Sequence, residues 1–148
     1  MIIRKAKIED IPAIVSMEAR CFSRPWSEKS FLSELDSGDG YFTAAEDGGE
    51  VCGFCVARWF GDEGEIFNVC VSPEHRREGI GDALMKNTLE EAERSGIKRI
   101  FLEVRQSNGA ARALYLKHGF QVCGLRKRYY DDPVEDAILM EADIGGNI

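Results

Sequence analysis

The chain has 148 residues, a net charge of -7 and a pI near 4.9. At this length a single domain spanning residues 1–148 buries roughly two thirds of the surface its unfolded form exposes, so one core suffices without covalent staples. The acidic balance argues against nucleic acid as the main partner, because phosphate binding needs a basic face, and suits a cationic partner such as an amine or a basic peptide. The chain has five cysteines, an odd number, no signal-peptide pattern, and no apolar run near the roughly 20 residues that cross a bilayer. These features lead us to expect a reduced, soluble, cytoplasmic protein with no membrane partner.

In chain order, residues 2–6 read as a strand, and Asp10 then caps a helix with Pro12 in its first turn and Ile11, Ile14 and Val15 facing inward. That helix fades near Cys21. Pro25 breaks it, and Ser27 caps a second helix through Phe31, Leu32 and Leu35. Residues 41–46 and 51–60 flank Asp47-Gly48-Gly49-Glu50, an antiparallel hairpin signature. Within the second of these, Cys52 and Cys55 have redox-motif spacing, but strand residues three apart point to opposite faces, which speaks against a redox pair.

A strand over 65–71 is followed by a loop and a long helix with Ile80, Leu84, Met85, Leu89 and Ala92 on one half of its wheel, ending at Gly96. The apolar strand over 100–105 then implies a parallel pair with 65–71. Asn108 reads as the N-cap of a short helix carrying Ala111, Leu114 and Tyr115, stopped at Gly119, and strands over 120–125 and 137–142 complete the chain. The class is α/β (α+β), a mixed sheet of about seven strands flanked by about four helices.

Two constellations carry chemistry. In the loop Arg76-Arg77-Glu78-Gly79-Ile80-Gly81, a helix N-terminus offers unpaired N–H groups, the glycines allow close approach, and the arginines suit phosphate oxygens. The alternative is an ordinary charged turn, and Glu78 is a misfit unless it points away. The second is Glu103, a carboxylate interrupting an apolar strand. Pairing with Arg105, two residues on and on the same face, would account for it structurally. Yet Asn108, Ala111 and Tyr115 lie on one helix face beyond the carboxyl end of that strand, where ligands of open α/β sheets bind. Tyr115 is either a core aromatic or the phenol of an acid and base pair. His75 and His118 read as helix-end groups, and no Cys, His or carboxylate cluster has metal-ligand spacing.

The loop resembles the Arg/Gln-x-x-Gly-x-Gly/Ala acetyl-CoA loop of the GNAT N-acetyltransferases, and the element order fits along nearly the whole chain. Pro25-Trp26-Ser27, Phe67-Asn68-Val69, Leu102-Glu103-Val104-Arg105, Ser107-Asn108, Tyr115, Tyr129-Tyr130 and Glu135-Asp136-Ala137 are similar to segments of the RimI-type N-terminal alanine acetyltransferases of ribosomal protein. The resemblance implies a GNAT fold, acetyl-CoA as donor, no metal, and the N-terminus of a ribosomal protein as acceptor. It further implies Glu103 as general base and Tyr115 as general acid. Val69, Cys70, Val71, Arg76, Arg77, Glu78, Gly79, Ile80, Gly81, Asp82 and Asn108 would hold the donor, by a strand that splays from its neighbour and by the loop. The acceptor would enter between residues 22–27 and 128–136, against Trp26, Tyr129 and Tyr130, with Glu135 and Asp136 available to attract an amine. Glu65 stays open as an alternative base.

Overall fold

The computed structural model describes residues 1–145. Their strands are β1 (Ile2–Lys5), β2 (Gly40–Asp47), β3 (Glu50–Phe60), β4 (Glu63–Val71), β5 (Arg99–Arg105), β6 (Gln121–Tyr130) and β7 (Glu135–Asp143), and their α-helices are α1 (Ile11–Cys21), α2 (Glu28–Leu35), α3 (Ile80–Arg94) and α4 (Gly109–Lys117). The strands form one sheet in the order β1-β2-β3-β4-β5-β7-β6. Neighbours are antiparallel except β4 and β5, which α3 joins as a crossover.

Each face of the sheet is covered because the strands alternate between two apolar clusters. Leu84, Met85 and Ala92 of α3 pack with Ile100, Leu102, Val104, Phe120 and Met140 on one side. Ile11, Ile14 and Met17 of α1 and Phe31 of α2 pack with Phe42, Phe54 and Val56 on the other.

Local capping follows the sequence at two of three helices. Ser27 accepts the Ser30 N–H at 3.1 Å, and Asn108 accepts the Ala111 N–H at 3.1 Å. Asp10, expected as a side-chain cap, faces backwards instead. Arg4 holds its carboxylate at 2.7 and 2.9 Å, and the Lys7 N–H donates to it at 2.7 Å, closing a 3-10 turn ahead of α1.

Two further expectations are corrected. The β2–β3 register slips after Ala45 and leaves Cys52 as an extra residue, so Cys52 and Cys55 lie in the same α3-side cluster rather than on opposite faces. Both are free, and burial pushes the Cys55 thiol up to about 11. The strand expected to stop at 125 runs on to Tyr130: β6 is an uncovered edge strand, so Arg126, Lys127 and Arg128 extend it without the apolar alternation that marks a buried one.

Candidate active site

The β4–β5 pairing is short. Glu63 to Ile66 partner Arg99 to Leu102, and beyond that β4 continues to Val71 and β5 to Arg105 without pairing to each other. The cause is on the opposite edge of β4, where Val56 pairs with Asn68 and Ala57 with Ile66, so Phe67 is a bulged residue that turns the rest of the strand away. The Phe67 to Val71 backbone therefore borders a wedge, and its β5-facing N–H and C=O groups have no ladder partners there. Val69 and Val71 line the α3 side, whereas the Cys70 side chain is buried toward α1, leaving only its main chain for the wedge.

At the wedge's end stands the loop. Arg77 (φ 67°) and Gly79 (φ 81°) are both left-handed, an alternation that turns successive N–H groups to one side as an anion cradle. No side chain caps α3, and the first helical bond is from the Ala83 N–H to the Gly79 carbonyl at 3.0 Å, so the N–H groups of Ile80, Gly81 and Asp82 remain without helical partners. A Cβ at Gly81 would sit 3.3 Å from Leu114 Cδ2 and 3.8 Å from Val71 Cγ2, which fixes how closely loop, β4 and α4 meet. Arg76, Arg77 and Glu78 are exposed. The Asp82 carboxylate takes His118 Nε2 at 2.9 Å and Lys117 Nζ at 3.1 Å, and those two bonds, His118 first, hold it below the usual carboxylate range. Thus the Asp82 side chain ties α3 to α4, which leaves its main-chain N–H as the group open at the loop.

Tyr115 is 7% exposed, with its ring 5.9 Å from that of Phe120. Burial first, then the fields of Cys55 and Tyr130, pushes its hydroxyl well above the ordinary phenol value. It packs in the cluster that holds Ile100, Leu102 and Val104, whereas Glu103 alternates to the other face of β5. The two candidate catalytic groups approach the wedge from opposite sides of the strand. Glu103 is half-buried, 3.6 Å from Arg126 Nε, and its carboxylate, ahead of burial, raises the neighbouring Tyr129 hydroxyl. Arg105 is not its partner. That guanidinium pairs with Glu135 at 3.2 Å, donates to the carbonyls of Pro133 at 2.9 Å and Asp131 at 2.8 Å, and stacks 4.6 Å from the Tyr130 ring centre. Glu65 pairs with Phe101 in register, two residues before Glu103, and its carboxyl is pushed up by burial and then by the charge of Glu103.

The two segments expected to flank the acceptor meet. Arg24 pairs with Asp131 at 3.0 Å, and Ser23 Oγ lies 3.4 Å from Arg105 Nη2. The Trp26 ring stands 5.3 Å from Phe31 and 6.2 Å from the bulged Phe67, and Tyr129 and Tyr130 meet edge to face at 5.1 Å. Glu135 and Asp136 are already engaged: Glu135 takes Arg105 and the Ser107 N–H, and Asp136 accepts the Arg128 N–H at 2.9 Å. These bonds brace the turn that joins β6 to β7.

Over residues 11–120 the chain matches the family model described as acetyltransferase (GNAT) family. The chain belongs to that family. This GNAT acetyltransferase is an acyltransferase similar to the [ribosomal protein bS18]-alanine N-acetyltransferase of Escherichia coli K12, 38% identical over 138 residues, covering 91% of this chain and 92% of the relative. It is also similar to the N-alpha-acetyltransferase RimI of Mycobacterium tuberculosis, at 36% identity with 92% and 88% covered. Among solved structures, that of the Escherichia coli ribosomal-protein-S18-alanine N-acetyltransferase superposes with a TM-score of 0.90 at 36% identity, covering 99% and 97%. A paia N-acetyltransferase from Thermoplasma acidophilum, solved in complex with coenzyme A, shares the fold with a TM-score of 0.81 at 21% identity, covering 96% and 98%. Among the described residues of the GNAT chain, no three His, Cys, Asp or Glu side chains cluster as a metal site, and no helix is long and apolar enough to cross a membrane.

One group escaped sequence reasoning. Glu18 is 1% exposed, accepts Asn68 Nδ2 at 3.0 and 2.9 Å and the Trp26 N–H at 3.0 Å, and so fastens the acceptor-side turn to the strand just past the bulge. Its carboxyl is pushed up, by burial foremost. The only signal was a charge on the inward side of an amphipathic helix, which without its partners reads as a boundary residue.

Proposed function

We propose that this acetyltransferase moves the acetyl group of acetyl-CoA to the N-terminal α-amine of a protein, the alanine end of a ribosomal protein. The acceptor assignment is supported by the Escherichia coli relative's name at 38% identity over nearly both whole chains. The observation that carries the reading is the wedge between β4 and β5, with a left-handed N–H cradle at one end and Glu103 at its margin.

The residues present fit acetyl-CoA. Main-chain N–H groups from Arg77 to Asp82 bind the pyrophosphate, with Arg76 and Arg77 adding charge, Glu78 standing in solvent, and Asn108 completing the pocket at the head of α4. The unpaired main chain of Val69, Cys70 and Val71 receives the pantetheine amides, and an N–H there polarises the thioester carbonyl. An α-amine with a pKa near 7.7 to 8.0 is mostly protonated at neutral pH, so Glu103, directly or through water, takes a proton as the nitrogen attacks. The new C–N bond forms as the C–S bond breaks, and the electron pair leaves on sulfur. Tyr115 meets that sulfur as a neutral phenol. Since its hydroxyl is raised and a thiol titrates near 8.5, full transfer of the phenolic proton is uphill, and the side chain acts as a hydrogen-bond donor that shares its proton during cleavage. Trp26, Tyr129 and Tyr130 contact the peptide end.

The test is an acetylation assay with purified protein, acetyl-CoA and peptides that differ at the first residue or carry their only amine on lysine. Thiol release with mass mapping to the α-amine of alanine-led peptides is expected. Acetyl found only on lysine would replace the acceptor, and no turnover on any amine would leave a module that binds acetyl-CoA without catalysis.

A further inference from the structure

Two of the five cysteines lie together at the far side of β4 from the core of α3. Cys21 is the last residue of α1, half-buried, and its S–H faces the Val71 carbonyl at 3.8 Å. Cys70, buried in β4, donates to Cys21 Sγ across 2.9 Å, and Arg76 Nη2 donates to the same sulfur across 3.5 Å. Both thiols are free. The site has the parts of a two-cysteine oxidation centre: a reachable sulfur beside a guanidinium, and a buried thiol in contact with it to resolve the first product. Cys70 is buried whereas Cys21 is half-buried and in contact with Arg76, so Cys21 is the sulfur a peroxide reaches first and Cys70 the resolving group.

We propose that Cys21 and Cys70 are a redox modification site whose reactant is a hydroperoxide. The Cys21 thiolate attacks the peroxide's terminal oxygen, the O–O bond breaks, and the alkoxide or hydroxide leaves with the proton released from Cys21, giving a sulfenic acid at Cys21. Cys70 sulfur then attacks Cys21 sulfur, the S–O bond breaks, and hydroxide leaves with the Cys70 proton as water. The two thiols are oxidised to one disulfide and the peroxide is reduced to an alcohol and water, or to water alone for hydrogen peroxide. The bond joins the end of α1 to the strand segment that borders the wedge. It is independent of the acetyl-transfer reading, because its readout is covalent.

The full chain carrying Cys123→Ser, which removes the exposed thiol on β6, is treated with stoichiometric hydrogen peroxide, quenched with catalase, alkylated under denaturing conditions without reductant, and digested for peptide mass mapping. The expected product is one cross-linked peptide joining Cys21 to Cys70, lighter by two hydrogens than its parts, lost on adding dithiothreitol. In a Cys70→Ser background, Cys21 is expected to stop at the sulfenic acid and be trapped by dimedone. The proposal is overturned if Cys21 remains alkylatable, if it proceeds to sulfinic acid without a cross-link, or if the cross-link joins Cys52 to Cys55.

Discussion

In the proposed mechanism Glu103 and Tyr115 divide the chemistry because their surroundings differ. Glu103 sits among Arg126, Tyr129 and the charge of Glu65, open enough to exchange a proton with an amine, whereas Tyr115 is buried among aliphatic side chains and stays a phenol throughout the working range. Tyr115→Phe removes a donor felt only as the C–S bond breaks, so turnover should fall by about tenfold or more while acetyl-CoA affinity stays within about twofold. Steady-state kinetics beside calorimetric titration reads both, and wild-type turnover would remove Tyr115 from the mechanism. Glu103→Gln should lower turnover by about a hundredfold or more, the range a general base contributes. Turnover at the wild-type level would move the base to Glu65, the other carboxylate in reach.

At the scale of elements, the loop before α3 depends on backbone more than on charge. Gly79 holds φ at 81°, where a side chain meets its own carbonyl, although nothing else lies within 4 Å of a Cβ there. Gly79→Val should therefore cost about 1 to 2 kcal/mol if the left-handed geometry is kept, and otherwise dismantle the cradle. The expected result is a raised KM for acetyl-CoA with the peptide KM nearly unchanged, measured by varying each substrate in turn. Equal rises in both would show that the loop does not bind the donor selectively. The bulge at Phe67 works at the same scale: one extra residue ends the β4–β5 ladder, and the unpaired main chain it leaves is the polar lining to which the proposed function assigns the pantetheine arm.

For the molecule as a whole, ion pairs hold the pieces of the site in register rather than supply much stability. Asp82 joins α3 to α4, and its folded-state pKa is depressed by His118 and Lys117. A depressed carboxylate contributes stability above its unfolded pKa, near 3.9, and loses it as pH falls through the lower folded value. Asp82 is more than a third exposed, so solvent screening limits the contribution to at most about 1 kcal/mol. Asp82→Asn should accordingly lower the urea midpoint at pH 7 and converge with the parent protein only in acid, once pH falls below the depressed folded value of Asp82, and a gap that persists there would assign the effect to packing.

Sequence alone determined what depends on short-range pattern: the order of elements, the hairpin at Gly48-Gly49, the caps Ser27 and Asn108, and the glycine loop ahead of α3. Those features are legible because a turn, a cap or an amphipathic face is specified by residues within a few positions of one another. Tertiary structure decided the rest. Arg105 turned to Glu135 and left Glu103 to Arg126 and Tyr129, Glu18 found Asn68 fifty residues away, and Phe67 bulged to open the wedge. In the first two cases a charged group had several partners available, and in the third a strand had more than one register; the choice is set by strand pairing and by the low tolerance of a buried carboxylate for being unpaired, neither of which a local pattern records.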